Sequence, residues 1–413
     1  MAGYILGRGT LAPRAFGFVE RTQPRSADLI TYDGEGHLIT LAPTGRGKTS
    51  GPVICNALRH PGQLIVIDIK GEVHAATAQA RYAMGQKVHV LDLRDDAKTD
   101  SLNPLDLVTR CGTEPAALAR GFAAEFMERG VEERDRFWND WAETMLTGGT
   151  AWLLADCPPE SRCLSALFDL FTTDDAVFTL ARMLDKQEAK LRAARAAFMS
   201  FLELPDRETR PSVLGSTIAH LRLFDSDLVR RLTDTSSIDI DALIAGEPMS
   251  LYIIVPPARL TAYRPLLRTW LSGLILAMMQ RTAPPKERTL ILCDEIGNLG
   301  RIDAFLIACT LLRSWGVTLW SFWQNPAQLQ QYGHQANTLV DNAGVIQLFG
   351  VQNYRAAQEL ANLIGGVSAD EVMRLPKDGQ LLLIEGRLTR CRQTRYYSDA
   401  LFARKAPAVL PAH

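Results

Sequence analysis

Short, almost fully apolar runs alternate with longer amphipathic stretches near the start of the chain. The apolar runs HLITLA, LIVIDI and KVHVLDL each have the length and composition of a buried strand. The stretches between them have helical periodicity; one runs from Lys48 to about His60, and the other, EVHAATAQARYAMG, ends at Gly85. This β-α-β-α-β order predicts a sheet of parallel strands with helices on both faces.

A long helical stretch interrupts the alternation. From about Thr113 to Arg231 the chain is rich in Ala, Leu, Glu and Arg and has almost no strand pattern. Two segments within it, WNDWAETMLTGGTAWLLAD and LARMLDKQEAKLRAARAAFMSFLEL, have clear helical periodicity. We therefore predict an all-α insertion in an α/β protein.

The alternating pattern then resumes. Strands are predicted at MSLYIIVP, TLILCDEI, VTLWSFWQ, GVIQLFG and QLLLIEG. Helices are predicted from Pro265 to Arg281 and at AFLIACTLLRSWG, and NPAQLQQYG begins with Asn325 as an N-cap and Pro326 at the first helical position. The predicted domains are the two parts of one α/β domain, residues 1–112 and 236–405, an inserted all-α domain, residues 113–235, and a tail, residues 406–413.

The loop after the first predicted strand, LAPTGRGKTSG, has the pattern of a phosphate-binding Walker A motif. Its glycines let the backbone close around an anion, and the helix that follows points its positive end at the phosphates. Ala42 stands where the first glycine of the motif belongs, a mild change because that position ends the strand. The alternative, a glycine-rich turn with a chance lysine, does not account for the strand before it and the helix after it. The predicted ATP-binding residues are Thr44, Gly45, Arg46, Gly47, Lys48, Thr49 and Ser50.

Within this motif, Lys48 supplies the charge for the β- and γ-phosphates and Thr49 offers a hydroxyl to Mg²⁺. A second metal ligand is expected at Asp294, which follows four apolar residues in LILCDEI and so lies at the carboxyl edge of the sheet. Asp294 would hold Mg²⁺ through water, and Glu295 would polarise the attacking water. Gln324, at the end of the next strand, could bind the γ-phosphate or that water, or it could be an ordinary polar residue at a strand end.

Other residues carry weaker signals. Asp68 and Lys70 also follow a strand, and they could line the nucleotide site or belong to a solvated loop. Trp320, Phe322 and Trp323 lie within a predicted buried strand, so we expect them in the core rather than in a base-stacking surface.

Composition narrows the classes of protein further. The chain has 413 residues and a net charge of −1, so contact with nucleic acid would be confined to a local channel. Its seven cysteines form no CxxC pair, which indicates reduced cytosolic thiols. The sequence contains no secretory signal pattern and no apolar run of about 18 residues. These features predict a soluble cytoplasmic protein that meets the inner membrane through partners.

Six segments occur together in an order and spacing that are specific: GHLITLAPTGRGKT, IVIDIKGE, SLNPLDLV, LYIIVPP, LILCDEIGNLG and LLRSWGVTLWSFWQNPAQLQQYG. With them the chain resembles the coupling-protein ATPases of type IV secretion and bacterial conjugation over nearly its whole length. The resemblance implies a hexameric RecA-like motor that uses ATP and Mg²⁺. It also implies a cargo of single-stranded DNA with its relaxase, or of protein effectors, moved towards a secretion channel.

The same resemblance implies roles for individual residues. Asp294 and Glu295 would form the Walker B pair, Gln324 would sense the γ-phosphate, and Arg313 would act as a finger that reaches a neighbour's nucleotide. The simpler alternative for Arg313 is that it complements the negative end of its own helix. The catalytic residues expected are therefore Glu295, Gln324 and Arg313.

One departure from the family concerns the start of the chain. Family members usually begin with transmembrane helices, whereas YILGRG and LITYDGEGH, which resemble the stretch after those helices, stand at the start here. A shortened form, a soluble relative and one part of a split protein all fit this pattern. Two further functions stay open: a nucleotide-switched cargo adaptor without motor activity, and a soluble DNA-pumping ATPase outside secretion.

Overall fold

The computed structural model describes residues 3–9, 29–94, 98–112, 114–127, 136–205 and 207–402. Within these residues one eleven-stranded sheet organises the protein, with the strand order β2-β1-β11-β10-β9-β3-β8-β7-β4-β6-β5. The strands are β1 Tyr4–Gly9, β2 Leu29–Tyr32, β3 His37–Leu41, β4 Leu64–Asp68, β5 Lys87–Asp92, β6 Met249–Ile254, β7 Thr289–Cys293, β8 Val317–Trp323, β9 Ala343–Phe349, β10 Gly379–Ile384 and β11 Arg387–Arg392.

The seven strands from β9 to β5 in this order all pair in parallel, which confirms the predicted mainly parallel sheet. Strands β10, β11, β1 and β2 extend the sheet by antiparallel pairs. Of these four, β10 was predicted. The others escape a search for buried runs because β11 carries three arginines along RLTRCR and because β1 finds its partner at the far end of the chain, with Arg8 opposite Arg392.

The described residues contain sixteen α-helices, of which nine lie between strands β5 and β6 and seven lie elsewhere along the chain. Their bounds are α1 Ile54–Ala57, α2 Glu72–Ala83, α3 Pro104–Thr109, α4 Pro115–Phe126, α5 Arg136–Asp156, α6 Leu164–Thr172, α7 Ala176–Asp185, α8 Arg192–Leu202, α9 Thr209–Leu221, α10 Asp227–Thr233, α11 Ile240–Ala245, α12 Leu260–Met278, α13 Asp303–Leu311, α14 Ala336–Asp341, α15 Tyr354–Ile364 and α16 Ala369–Met373.

Three predicted helices differ in form. The helix predicted from Lys48 begins as a π-turn, Thr49–Val53, because Pro52 has no N–H; the Val53 N–H instead donates to the Lys48 carbonyl oxygen five residues back. Helix α12 begins at Leu260 and carries Pro265 inside it. Asn325 does cap the segment Pro326–Gln335, yet that segment is 3₁₀ in form and breaks at Gly333.

Helices α3 to α11 separate β5 from β6, so the predicted helical insertion between two groups of strands is present. Long helix α5 packs against α4, α8 and α9. A continuous cluster of buried apolar side chains runs from these helices to one face of the sheet, and a second cluster covers the other face. The limits 113 and 235 of an inserted domain stay a prediction, and the predicted tail lies outside the described residues. No helix among the described residues has the length and hydrophobicity needed to cross a bilayer.

Glu125 is one of the side chains that join the insertion to the α/β part. Glu125, on α4, accepts a hydrogen bond from the Ala304 N–H at 2.9 Å, in the first turn of α13. The residue before that helix, Ile302, has no side-chain oxygen to do so. The other Glu125 oxygen lies 3.9 Å from Arg268 on α12, and burial raises the pKa of the Glu125 carboxyl. The insertion is thus bonded to the helix that follows Asp294 and Glu295.

Candidate functional site

Three neighbouring strands deliver the candidate residues to one edge of the sheet. Strands β3, β8 and β7 are adjacent and parallel, with Leu41 opposite Trp323 and Cys293 opposite Ser321. The Ala42 N–H continues the ladder by donating to the Trp323 carbonyl oxygen at 2.9 Å. The phosphate-binding loop, the two carboxylates and Gln324 therefore follow their strands at the same carboxyl edge, where ligands bind in open α/β folds.

The loop has the backbone conformation that its glycines permit. Gly45 and Gly47 have φ of 77° and 87°, in the left-handed region that residues other than glycine rarely adopt. Lys48 is buried, and its Nζ lies 2.5 Å from Glu295 Oε1. The cation expected for phosphate therefore pairs with the carboxylate expected for catalysis.

Glu295 is held from three sides. Its backbone is left-handed, with φ of 57°, at the turn that leaves β7. Its second oxygen, Oε2, accepts hydrogen bonds from Gln324 Nε2 at 2.5 Å and from Asn298 Nδ2 at 3.3 Å. A left-handed glutamate is strained, and such strain is characteristic of functional sites. Together with Lys48, these contacts fix the carboxylate at the mouth of the loop.

Asp294 lies directly beneath, beside Thr49. The Thr49 hydroxyl donates to Asp294 Oδ2 at 2.8 Å, while Asp294 Oδ1 is buried without a hydrogen-bond partner among the described residues. Burial raises the pKa of Asp294 to about 6, and the Thr49 hydroxyl and the Lys48 charge act in the opposite direction. An unpaired buried carboxylate oxygen next to a threonine hydroxyl is a donor set that suits Mg²⁺, a hard cation with oxygen ligands.

Asp68 is not part of a solvated loop. It is buried at the end of β4 and accepts hydrogen bonds from the Gly71 and His74 N–H groups, both at 2.9 Å, at the start of α2. Burial raises the pKa of Asp68 to about 6. Asp68 also lines a cleft of about 660 Å³ with Thr49 and Asp294, and Lys70 stands exposed at its rim.

A second, larger cleft of about 990 Å³ also borders the phosphate-binding loop. Gly45 and Arg46 border it, and its far wall comes from the segment around α15 and α16. Thr44 and Gln324 line both clefts.

Sequence reasoning missed several residues of this site. Asn298 and Gln328 support Glu295 and Gln324: Gln328 Oε1 accepts the Gln324 N–H at 2.8 Å and packs where a side chain on Gly297 would stand. The sequence gives a signal for Asn298, because this polar residue follows Glu295 by only three positions. Arg395, which contacts the outside of the loop, gave no signal because it lies 345 residues from Ser50.

Arg313 is not brought to this edge. It precedes β8, whose far end carries Gln324, so it lies at the opposite edge of the sheet. Its exposed guanidinium pairs with Glu35 at 3.2 Å, and its carbonyl oxygen accepts from Arg288. The finger role stays a prediction, since it concerns a neighbouring subunit. Trp320, Phe322 and Trp323 are fully buried, as expected for core residues.

Comparison with known proteins adds a family and several relatives. The sequence profile described as "Type IV secretory system Conjugative DNA transfer" matches residues 14–369. The chain is similar to the VirD4 protein of Agrobacterium fabrum strain C58, with 24% identity over 97% of this chain and 63% of the relative. It is also similar to VirD4 of Rhizobium radiobacter, with 27% identity over 68% of this chain and 41% of the relative.

Among solved structures, the plasmid coupling protein TrwB in complex with ADP and Mg²⁺ has the same fold. Its TM-score is 0.67 at 15% identity, over 95% of each chain. This likeness confirms a RecA-type fold with helical insertions. The chain spans between about two fifths and two thirds of the length of the VirD4 proteins.

The pKa of Asp294 leads to a prediction about stability without metal or nucleotide. The folded pKa is about 6 and the ordinary value is 3.8, so folding favours the protonated form and this contribution is lost as pH rises from about 4 through 6. Asp294→Asn keeps the group neutral. We expect its melting temperature in EDTA to exceed that of the wild type at pH 7.5, with the difference shrinking towards pH 5.

The matched control is Asp185→Asn, on the exposed side of α7. Its difference from the wild type should be small and equal at both pH values. An Asp294→Asn variant whose melting temperature relative to the wild type does not change with pH would contradict the burial argument.

Proposed function

Since this chain belongs to the type IV secretory system family of conjugative DNA transfer, we propose that it is a P-loop ATPase that couples ATP hydrolysis to the movement of cargo. The observation that carries the proposal is the meeting of Lys48, Thr49, Asp294, Glu295 and Gln324 at one sheet edge. A protein that only binds nucleotide has no need of a positioned carboxylate at the γ-phosphate end.

ATP and Mg²⁺ are the proposed substrate and cofactor. TrwB, which shares the fold, is known in complex with ADP and Mg²⁺ and with a non-hydrolysable ATP analogue. In this chain the backbone from Thr44 to Ser50 would cradle the phosphates, and Thr49 with Asp294 would hold the metal ion. Mg²⁺, when bound, neutralises charge on the β- and γ-phosphate oxygens.

The Lys48–Glu295 ion pair sets the order of events. A phosphate chain that enters the loop takes over Lys48, because its oxygens carry more charge than one carboxylate. Glu295, released from the cation, becomes free to accept a proton from water. Gln324 remains bonded to Glu295 and close to the γ-phosphate position, so it can report which nucleotide is bound. The ion pair thus keeps the catalytic carboxylate occupied until ATP arrives.

The proposed cargo is single-stranded DNA with its relaxase, which a hexamer of this chain would deliver to a type IV secretion channel. The family match to conjugative DNA transfer supports DNA over a cargo of protein effectors. A net charge of −1 requires the DNA contact to be local, as in the lumen of a ring.

The ion pair predicts opposite effects of two substitutions. Glu295→Gln removes both the proton acceptor and the competitor for Lys48, so we expect hydrolysis to fall by about 100-fold or more while ATP affinity rises a few-fold. Lys48→Ala should weaken ATP binding by about tenfold or more, because it removes the phosphate cation. Binding of a fluorescent ATP analogue and steady-state phosphate release measure the two effects.

The controls are Glu160→Gln and Lys186→Ala, two exposed residues of the helical insertion. Both should behave as the wild type. Full turnover by Glu295→Gln would remove the catalytic role from this residue, and normal binding by Lys48→Ala would remove the nucleotide site from this loop.

We predict that single-stranded DNA binds and stimulates hydrolysis. Phosphate contacts release counterions, so the affinity should fall steeply between about 50 and 200 mM salt. Anisotropy of a labelled oligonucleotide and the ATPase rate with and without it measure both effects. If DNA neither binds at low salt nor changes the rate, a protein cargo replaces DNA in the proposal.

We also propose that Arg313 completes a neighbour's nucleotide site in the assembled ring. An arginine supplied in trans stabilises charge that develops on the γ-phosphate, with about 10³–10⁵-fold effects where such residues are established. In the single chain Arg313 is exposed and held by one ion pair to Glu35, which leaves it available to a second copy.

Mixing two inactive variants tests this role. Arg313→Ala and Lys48→Ala subunits should each hydrolyse little ATP, and a mixture should regain part of the rate because an intact loop can meet an intact arginine across an interface. Glu35→Ala is the matched control, since it breaks the same ion pair and keeps the guanidinium. Loss of activity in Glu35→Ala, or normal activity of Arg313→Ala in an assembled ring, would leave Arg313 with a local role.

A further inference from the structure

The segment that follows the last strand returns to the phosphate-binding loop. After β11, residues 393–402 pack against the start of the helical segment behind the loop, and Thr394, Tyr396 and Phe402 are buried there. The Tyr396 N–H donates to the Ser50 carbonyl oxygen at 3.0 Å. A side chain on Gly51 would meet the Thr394 carbonyl oxygen at 2.8 Å, so the two backbones are in close contact.

Arg395 makes the most specific contact of this segment. Its Nη2 donates to the Arg46 carbonyl oxygen at 3.0 Å, and its Nη1 donates to Ser50 Oγ at 3.3 Å. A third bond, from Nη2 to Gln393 Oε1 at 2.8 Å, orients the guanidinium from its own side. The two ends of the fork therefore bridge the two sides of the loop, one on each side of Gly47 and Lys48.

Gly47 is glycine for two reasons. Its φ of 87° disfavours a side chain, and a Cβ at this position would lie 1.8 Å from Arg395 Nη1. The guanidinium thus packs directly on the Cα of the residue before Lys48. Because backbone N–H groups face the bound phosphates in such loops, the carbonyl oxygen that Arg395 binds marks the outer face.

We propose that Arg395 is a positioning residue that braces the phosphate-binding loop from outside and thereby sets its affinity for nucleotide phosphates. A loop with two glycines loses conformational freedom when it closes on an anion, and this loss weakens binding. Bonds that hold the loop closed beforehand reduce the loss. The inference rests on the proposed function in one respect, that the loop binds nucleotide.

Contacts far from the loop hold the segment that carries Arg395 in place. Asp399 accepts two hydrogen bonds from the Arg8 guanidinium, at 2.5 and 2.9 Å, and its N–H donates to the Arg395 carbonyl oxygen at 2.9 Å. Arg8 lies on β1, and the backbone of Ile5 on the same strand is bonded twice by the Asn56 side chain of α1. The antiparallel edge of the sheet, formed by both ends of the described chain, therefore supports the loop through Arg395.

The first measurement is amide hydrogen exchange of the nucleotide-free protein, followed in peptides that cover residues 43–53. Arg395→Ala removes two bonds to the loop, so exchange there should rise by about tenfold while the rest of the sheet stays protected. Arg392→Ala is the matched control. It removes an arginine three residues earlier whose side chain is mostly exposed and lies 3.7 Å from Asp378, and it should leave the loop unchanged.

The second measurement is affinity for ATP and for ADP in the same variants. Because the brace acts on the whole loop, Arg395→Ala should weaken both by about tenfold and raise KM with kcat at saturating ATP nearly unchanged. Arg395→Lys should fail to rescue, since one ammonium cannot reproduce the planar fork that spans Arg46 and Ser50. Asp399→Asn, which touches the brace and not the loop, should give a smaller change in the same direction.

The outcomes separate the two proposals. Faster loop exchange in Arg395→Ala, with no nucleotide bound by any variant including the wild type, would refute the ATPase proposal and the effect on affinity, and would retain only the effect of Arg395 on the conformation of the loop. Unchanged exchange and affinity in Arg395→Ala, while Lys48→Ala loses binding, would overturn the brace alone. Full rescue by Arg395→Lys, or a fall in kcat with constant KM, would also overturn it, because charge or chemistry would then explain the effect.

Discussion

Complete burial of the central strands determines where this protein can carry charge. Every residue of β3, β4, β7 and β8 is buried, so these strands have no solvent-exposed face that could carry charged side chains. Parallel pairing then brings their carboxyl ends to a single edge. Lys48, Asp294 and Gln324 follow such strands and Asp68 ends one, and their proximity results from the pairing of apolar residues that take no part in chemistry.

The same burial makes the charged forms of the carboxylates at this edge unfavourable. Asp68 and Asp294 are both buried, and burial raises the pKa of each to about 6. Asp68 is compensated by two backbone N–H groups, whereas Asp294 keeps one oxygen unpaired. Glu295 occupies a strained backbone conformation and shares the one buried lysine of the loop. Because these charged groups lack full compensation, we expect a cation and a phosphate chain that bind together to lower the electrostatic free energy of the site.

Sequence patterns could identify the residues that lie in short motifs directly behind a predicted strand. GKT behind an apolar strand, and Asp-Glu behind another, indicate the loop and the carboxylates because strand ends in parallel sheets meet. The pattern could not show that Lys48 binds Glu295, since that contact depends on rotamers within a closed loop. Arg395 and the strands β1 and β11 escaped because their partners lie almost the whole chain away. The helical period around Thr49 does not reveal the π-turn there, because the turn follows from the missing N–H of Pro52.

Glu125 has a consequence for how the insertion can move. Its bond to the first turn of α13 is partly buried, so a broken bond leaves a carboxylate and an N–H group with reduced access to water. A displacement of α4 relative to α13 therefore costs the free energy of this partly buried bond. We expect the insertion and α13 to move as one unit while this bond is intact. Since α13 follows Asp294 and Glu295 in the chain, such a coupled movement would reach the sheet edge at which both carboxylates lie.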